Sequence, residues 1–155
     1  MFNLEAEVAH ELSLFFLKIA TSFSFKKKIT NKISDPKKIM GLSFENPVGL
    51  AAGLDKNGEY IDSLASLGFG FLELGTVTPL SQKGNSKPRV FRLPKDNAII
   101  NRLGFNNKGV KNLVLNIQSS KFFQNREGIL GVNIGKNADT PFEKAEEDYV
   151  FCLRK

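Results

Sequence analysis

The sequence predicts an α/β fold, a parallel sheet with helices packed outside it. Three observations carry this expectation. Apolar runs without helical period at Pro47 to Ala52, Phe69 to Val77 and Gly128 to Ile134 read as strands covered on both faces. Helical patterns at Tyr60 to Leu67 and Lys108 to Gln118 lie between them, the alternation expected of βα units with right-handed crossovers. Gly68 closes the first of these helices, and Pro141 opens a further one at its favoured first turn.

In chain order, Leu4, Val8, Leu12, Phe15, Phe16 and Ile19 recur at helical spacing and predict an amphipathic helix over Leu4 to Ile19. Thr21 to Met40 is basic and polar, with a break at Asp35-Pro36, and reads as a short second helix or a linker. Gly41 to Phe44 is a small strand. In the helix over 60–67, Ile61, Leu64, Ala65 and Leu67 are available to pack on the sheet. In that over 108–118, Val110, Leu113, Val114 and Ile117 share one side. Thr78 to Asn107 is too long for an ordinary loop of a compact domain. Val90-Phe91 and Ala98-Ile99-Ile100 make part of it a β excursion. The helix from Pro141 is still running at Lys155. These elements form roughly three βα units, whereas a closed (β/α)8 barrel takes about 250 residues. The expected organisation is a helical N-terminal extension, 1–40, followed by a truncated barrel domain, 41–155.

With 155 residues, 41% hydrophobic and 25% charged, the chain has an ordinary globular composition and can bury a core. The single Cys152 excludes an internal disulfide framework and a multi-cysteine metal site, so no metal is expected. It reads as a buried helical residue. The net charge of +6 is concentrated in Lys26, Lys27, Lys28, Lys32, Lys37 and Lys38. No aromatic interleaving or reading motif accompanies the cluster, so nucleic acid is not an expected partner. An amphipathic helix followed by lysines is the arrangement of a peripheral membrane anchor. The other reading is a stripe packed on its own domain beside a solvated charged face. No conventional targeting segment is apparent, since Glu5, Glu7 and Glu11 precede any basic residue.

Candidate chemistry gathers where strands end, the face at which parallel α/β folds bind ligands. The segment Asn46 to Asn57 ends a strand with Gly53, which lets a flat ligand approach, and Lys56, a mobile cation. Within the long connection, Asn101-Arg102-Leu103-Gly104-Phe105-Asn106-Asn107 offers amides to read a heteroatom-rich edge and an aromatic to cover a face. The alternative is that Asn106-Asn107-Lys108-Gly109 only starts a helix.

Five blocks then occur in order: Asn46-Pro-Val-Gly-Leu-Ala-Ala-Gly-Leu-Asp-Lys56, Gly68-Phe-Gly-Phe-Leu-Glu-Leu-Gly-Thr-Val-Thr-Pro79, Gly84-Asn-Ser-Lys-Pro-Arg-Val-Phe-Arg-Leu-Pro94, Ile100-Asn-Arg-Leu-Gly-Phe-Asn106 and Gly131-Val-Asn-Ile-Gly-Lys-Asn137. The series resembles class 2, quinone-dependent dihydroorotate dehydrogenase. The resemblance implies an FMN-binding (β/α)8 (TIM) barrel with a helical extension at the membrane. It implies oxidation of dihydroorotate to orotate in pyrimidine biosynthesis, with a membrane quinone reoxidising the flavin. By the same resemblance Ala52, Gly53, Leu54, Asp55, Lys56, Thr76 and Asn133 border FMN. Lys56 and Asn101, Arg102, Leu103, Gly104 and Phe105 bind the orotate, and His10 and Arg92 line the quinone access. His10 also reads as a helix-face histidine at a domain contact, and Arg92 as a surface guanidinium.

The family's catalytic serine lies beyond the third βα unit, so no catalytic base is expected within this chain. The extension resembles the family's without its first helix. The expected location is the cytoplasmic side of a bacterial cell membrane, or the cytoplasm if the shortened extension does not anchor. The expected protein is the N-terminal part of such an enzyme, inactive alone. A non-catalytic remnant or another FMN-barrel oxidoreductase is the alternative.

Overall fold

A computed structural model describes residues 4–23 and 34–155. Lys26, Lys27, Lys28 and Lys32 lie outside the described residues. The elements are α1 (Ala6–Phe23), β1 (Lys37–Ile39), β2 (Leu42–Phe44), β3 (Gly49–Leu50), α2 (Ile61–Ala65), β4 (Phe71–Val77), β5 (Val90–Leu93), β6 (Ala98–Asn101), α3 (Val110–Ser119), α4 (Lys121–Gln124), β7 (Ile129–Ile134) and α5 (Ala145–Leu153). Strands β3, β4 and β7 form one parallel sheet in that order, with Phe71 opposite both Gly49 and Ile129. The expected βα alternation is therefore present.

The core lies between this sheet and the helices. Leu72 and Leu74 alternate along β4 onto the helical side, where they meet Ile61 and Leu64 of α2 and Val110 and Leu113 of α3. Period-two alternation puts Phe71 and Glu73 on the opposite face, and these are only half-buried. The expected two-sided burial is thus corrected. Val48 is 61% exposed and Val132 40%; Val132 stands opposite Leu74 on the helical side, but on β7, an edge strand of this sheet. The first strand is also shorter than expected. Only Gly49 and Leu50 enter the ladder, since β3 is an edge strand that pairs with β4 alone.

The N-terminal helix forms as expected, but its apolar stripe does not make the contact. Ala9 and Leu14 are buried against the domain and Leu17 packs beside them, while Val8, Phe15, Phe16 and Ile19 point outward. Thr21 donates through Oγ1 to the Ser63 Oγ at 2.9 Å, and Lys18 Nζ reaches the Glu59 carbonyl at 3.3 Å, fixing the far end of α1 to α2.

The reading of 21–40 as helix or linker fails at its end. Lys37–Ile39 is a strand, paired antiparallel with β2 around a two-residue turn at Met40-Gly41. Both turn residues have positive φ, 50° and 79°, the backbone twist that matches a hairpin. The expected boundary between 40 and 41 falls inside this hairpin. Helix α4, not foreseen, is started by Ser120, whose Oγ accepts from the Phe123 N–H, and by Asp62, whose carboxylate accepts from the Lys121 and Phe122 N–H groups. Helix α5 ends at Leu153 rather than running to Lys155, and a 3₁₀ turn over Phe142–Lys144 separates it from Pro141. Cys152 is buried in α5, and burial pushes its thiol pKa up, as suits an inert core residue.

Candidate active site

The carboxyl ends of β3 and β4 are laced together by backbone. Gly53 N–H donates to the Gly75 carbonyl at 2.7 Å, and Gly75 N–H donates to the Asp55 carbonyl at 3.3 Å. Gly53 has φ +112° and nothing within 4 Å of where a Cβ would stand, so its surface is open to an approaching group. Beside it, Thr76 Oγ1 donates to Asn133 Oδ1 at 2.6 Å, and Asn133 Nδ2 donates to Glu73 Oε1 at 3.3 Å. Thr76 and Asn133 thus hold each other at the ends of adjacent strands.

Asp55 has a different task from its neighbours. Its buried carboxylate accepts from Glu59 N–H at 2.9 Å and Tyr60 N–H at 2.8 Å, fixing the loop that leads into α2. Burial pushes its pKa up, and those backbone donors oppose the shift. Lys56 is half-buried and donates to the Gly53 carbonyl at 2.9 Å. Burial lowers its pKa. Glu7 and Asp55 act against that shift, and Arg89 adds to it.

Two chambers flank this loop. One is a cleft of about 380 Å³ lined by Gly53, Lys56, Thr76, Asn85, Asn101 and Phe105, with Arg102, Leu103 and Gly104 completing the wall. The other is an apolar groove of about 640 Å³ between α1 and the domain, lined by Ala9, His10, Leu14, Leu17, Leu54 and Arg92. Gly53 and Lys56 face the cleft, and Leu54 faces the groove. His10 is half-buried there; burial, then the charge of Lys56, pushes its pKa down. Arg92 donates through Nη1 to the Leu4 carbonyl at 2.6 Å, which ties the start of α1 to β5.

The long connection forms an antiparallel hairpin, β5 with β6, and its amide cluster divides. Asn101 lines the cleft. Asn106 turns inward, and its buried Oδ1 has no hydrogen-bond partner. Asn107 is committed to structure. Its Oδ1 accepts from Gly109 N–H at 2.8 Å and Thr78 N–H at 3.3 Å, and its Nδ2 donates to Thr78 Oγ1 at 2.8 Å and the Phe105 carbonyl at 2.7 Å. Asn137 works alike on Leu80, Thr78 and Gln82. Each amide braces the wall behind the cleft. Sequence reasoning missed Asn85, which lines the cleft, and Arg89, which stands behind it. The Gly84 to Pro94 block contained both, and nothing local distinguished them.

Ala52 is half-buried at the end of the strand and touches neither chamber's lining. Asp55, buried behind the loop, also lines neither, and the remaining expected site residues fall into two groups. Gly53, Lys56, Thr76 and Asn101 to Phe105 gather at the cleft, whereas Leu54, His10 and Arg92 gather at the groove. Asn133 joins the first group through Thr76.

Residues 36–155 match the family model described as dihydroorotate dehydrogenase. Over its whole length the chain is 59% identical to a protein of Herminiimonas arsenicoxydans and 58% identical to one of Janthinobacterium, both named dihydroorotate dehydrogenase (quinone). It spans 45% of the length of each. Among solved structures, the dihydroorotate dehydrogenase of Eimeria tenella in complex with ferulenol superposes with a TM-score of 0.76 at 40% identity. That match covers 94% of this chain and 39% of the other. The ligand-free form of the same enzyme gives 0.75 at 42% identity, over 92% and 40%.

Proposed function

The chain belongs to the dihydroorotate dehydrogenase family, and from that premise we propose that it supplies one wall of a quinone-linked enzyme that oxidises dihydroorotate to orotate with FMN. The observation that carries this reading is the loop Gly53-Leu54-Asp55-Lys56, which separates a cleft bearing Lys56 and the amides of Asn85 and Asn101 from an apolar groove. A flat redox group beside that loop would meet an anionic substrate on one side and a lipid-like acceptor on the other.

The residues present fit FMN. Gly53 leaves its approach open, and Thr76 and Asn133 offer hydroxyl and amide groups at the strand ends. Ala52, Gly53, Leu54, Lys56, Thr76 and Asn133 would hold the flavin, with Asp55 fixing the loop from behind. When bound, FMN supplies the hydride acceptor. Lys56 attracts the substrate carboxylate and, held in place by the Gly53 carbonyl, stabilises negative charge that develops nearby. Asn101 reads the edge of the substrate ring and Phe105 covers its face, while Arg102, Leu103 and Gly104 shape the wall. On the other side, Leu54 and the α1 residues present an apolar surface. His10 and Arg92 offer polar groups to a quinone head.

The full-length protein should purify yellow and reduce a short-chain quinone when dihydroorotate is supplied. A flavin-loaded preparation that leaves dihydroorotate untouched would sink the reading.

The outward row Val8, Phe15, Phe16 and Ile19 suits a peripheral contact with the cytoplasmic face of a bacterial cell membrane. Among the described residues no helix is long and apolar enough to cross a membrane. Full-length protein is expected to float with anionic vesicles, less so as salt rises. Retention in the soluble fraction at low salt would remove membrane contact from the proposal.

A further inference from the structure

One ion pair connects the helix over the groove to the loop that lines the cleft. Arg89, just before β5, is 7% exposed and meets Glu7 of α1 through Nε at 3.1 and 3.0 Å and Nη2 at 2.7 Å. Its Nη1 turns the other way and donates to the Lys83 carbonyl at 2.7 Å and the Asn85 carbonyl at 3.0 Å. The guanidinium fork therefore spans two pieces of chain at once, which its planar donor geometry allows and an ammonium does not.

The loop it holds is part of the cleft wall. Asn85 N–H donates to the Leu103 carbonyl at 3.0 Å, and Asn85 Nδ2 donates to the Arg102 carbonyl at 2.7 Å. At Gly84 an added Cβ would stand 2.2 Å from the Leu103 oxygen, so the two chain segments of this wall are packed backbone to backbone. A shift of Arg89 is thus passed through Asn85 to Arg102 and Leu103 in the cleft wall.

Arg89 lines neither chamber. A buried ion pair is a weak means of mere fastening, because desolvation offsets much of its attraction and apolar packing serves as well. The pair also reaches the site electrostatically. Glu7 and Lys56 each perturb the other's protonation, Arg89 acts on both, and Glu7 and Lys56 both act on His10.

We propose that Glu7 and Arg89 form a positioning pair that couples the seating of α1 over the apolar groove to the shape of the substrate cleft. This rests on the functional reading above, because it assigns the cleft to dihydroorotate. Full-length Glu7→Gln and Arg89→Lys variants, with Lys87→Ala as control, would be compared for orotate Kd by flavin fluorescence, dihydroorotate KM, kcat and flavin content. Lys87 is an exposed partner of Glu7 at 3.7 Å.

Both test variants are expected to keep their flavin and to raise orotate Kd and dihydroorotate KM roughly tenfold, with kcat changed less. That is below the ~100-fold that an ångström of misplacement costs. The control should stay near wild type. Glu7→Gln keeps shape and one acceptor on a peripheral helix, so it carries the test if Arg89→Lys does not fold. Wild-type orotate Kd in the flavin-loaded Glu7→Gln protein would reduce the pair to a fastener and overturn the coupling. Wild-type protein that neither binds orotate nor oxidises dihydroorotate would instead overturn the functional reading.

Discussion

Replacing Lys56 by Met in the full-length protein is expected to lower kcat/KM for dihydroorotate by about 100- to 1,000-fold while Tm stays level or rises. The two halves of this result have one cause. Burial is the largest influence on the Lys56 amine and pulls its pKa below the ordinary 10.5. Between the folded and unfolded values the unfolded chain holds a proton that the folded chain has released, so stability rises with pH through that window. Below it, keeping the charged amine in the loop costs stability, and Met removes that cost. The Gly53 carbonyl loses its donor but faces an open cleft where water replaces it. A scaffold residue behaves in the opposite way, losing stability and retaining turnover. A variant with wild-type kcat/KM and a lowered Tm would therefore remove Lys56 from the chemistry. In the unmodified enzyme, the same shift places the basic limb of the kcat/KM profile below pH 10.5.

Lys56 was legible in the sequence because its signal is local. A glycine and a cation after an apolar run, at a predicted strand exit, suffice to nominate it, and the matching blocks at Thr76, Asn101 to Phe105 and Asn133 supply the company it keeps. Strand β4 and the β excursion that holds β5 and β6 were legible for the same reason, through apolar runs within a short window, though their pairing as a hairpin was not. What escaped depends on distance along the chain. Glu7 and Arg89 are 82 residues apart, and Asn137 meets Leu80 across 57. No periodicity relates such partners. The helix α4 escaped because Asp62, 60 residues earlier, accepts from its first N–H groups. Local texture also misled where burial depends on neighbouring elements. Val48 and Val132 look like core residues in their runs, yet each is exposed, Val48 just before the short edge strand β3 and Val132 on the edge strand β7. On α1 the longest apolar side chains face outward while Ala9 and Leu14 make the contact. A stripe reveals that a helix is amphipathic, and only tertiary structure reveals which face touches the domain.

Gly75→Ala is expected to damage the scaffold severely, and Gly131→Ala, on the neighbouring strand opposite Glu73, to be nearly harmless. Gly75 has φ +104°, where an L side chain is strained, and an added Cβ would stand 2.4 Å from the Asn133 carbonyl oxygen and 3.0 Å from Val77 N. The obstructing atoms are backbone of β7 and β4, so relief requires opening the ladder that joins them. Strained backbone costs about 1–3 kcal/mol and overpacking about 1–3 kcal/mol. Together these approach a large share of the ~5–15 kcal/mol that holds a domain folded. At Gly131 the nearest atom to an added Cβ is Glu73 Cγ at 3.6 Å, an ordinary contact, and reduced freedom of the unfolded chain favours Ala slightly. Urea midpoints of the two full-length variants check the contrast. Equal midpoints would mean that β4 bends freely at Gly75. The damage should also reach the site, since the same residue accepts from Gly53 N–H and precedes Thr76, the partner of Asn133. Flavin content of any folded Gly75→Ala protein should then fall further than its folded fraction. The close approach of β4 to β7 at Gly75 is what brings Thr76 within reach of Asn133, so a methyl group there separates the two strand ends on which the flavin would rest.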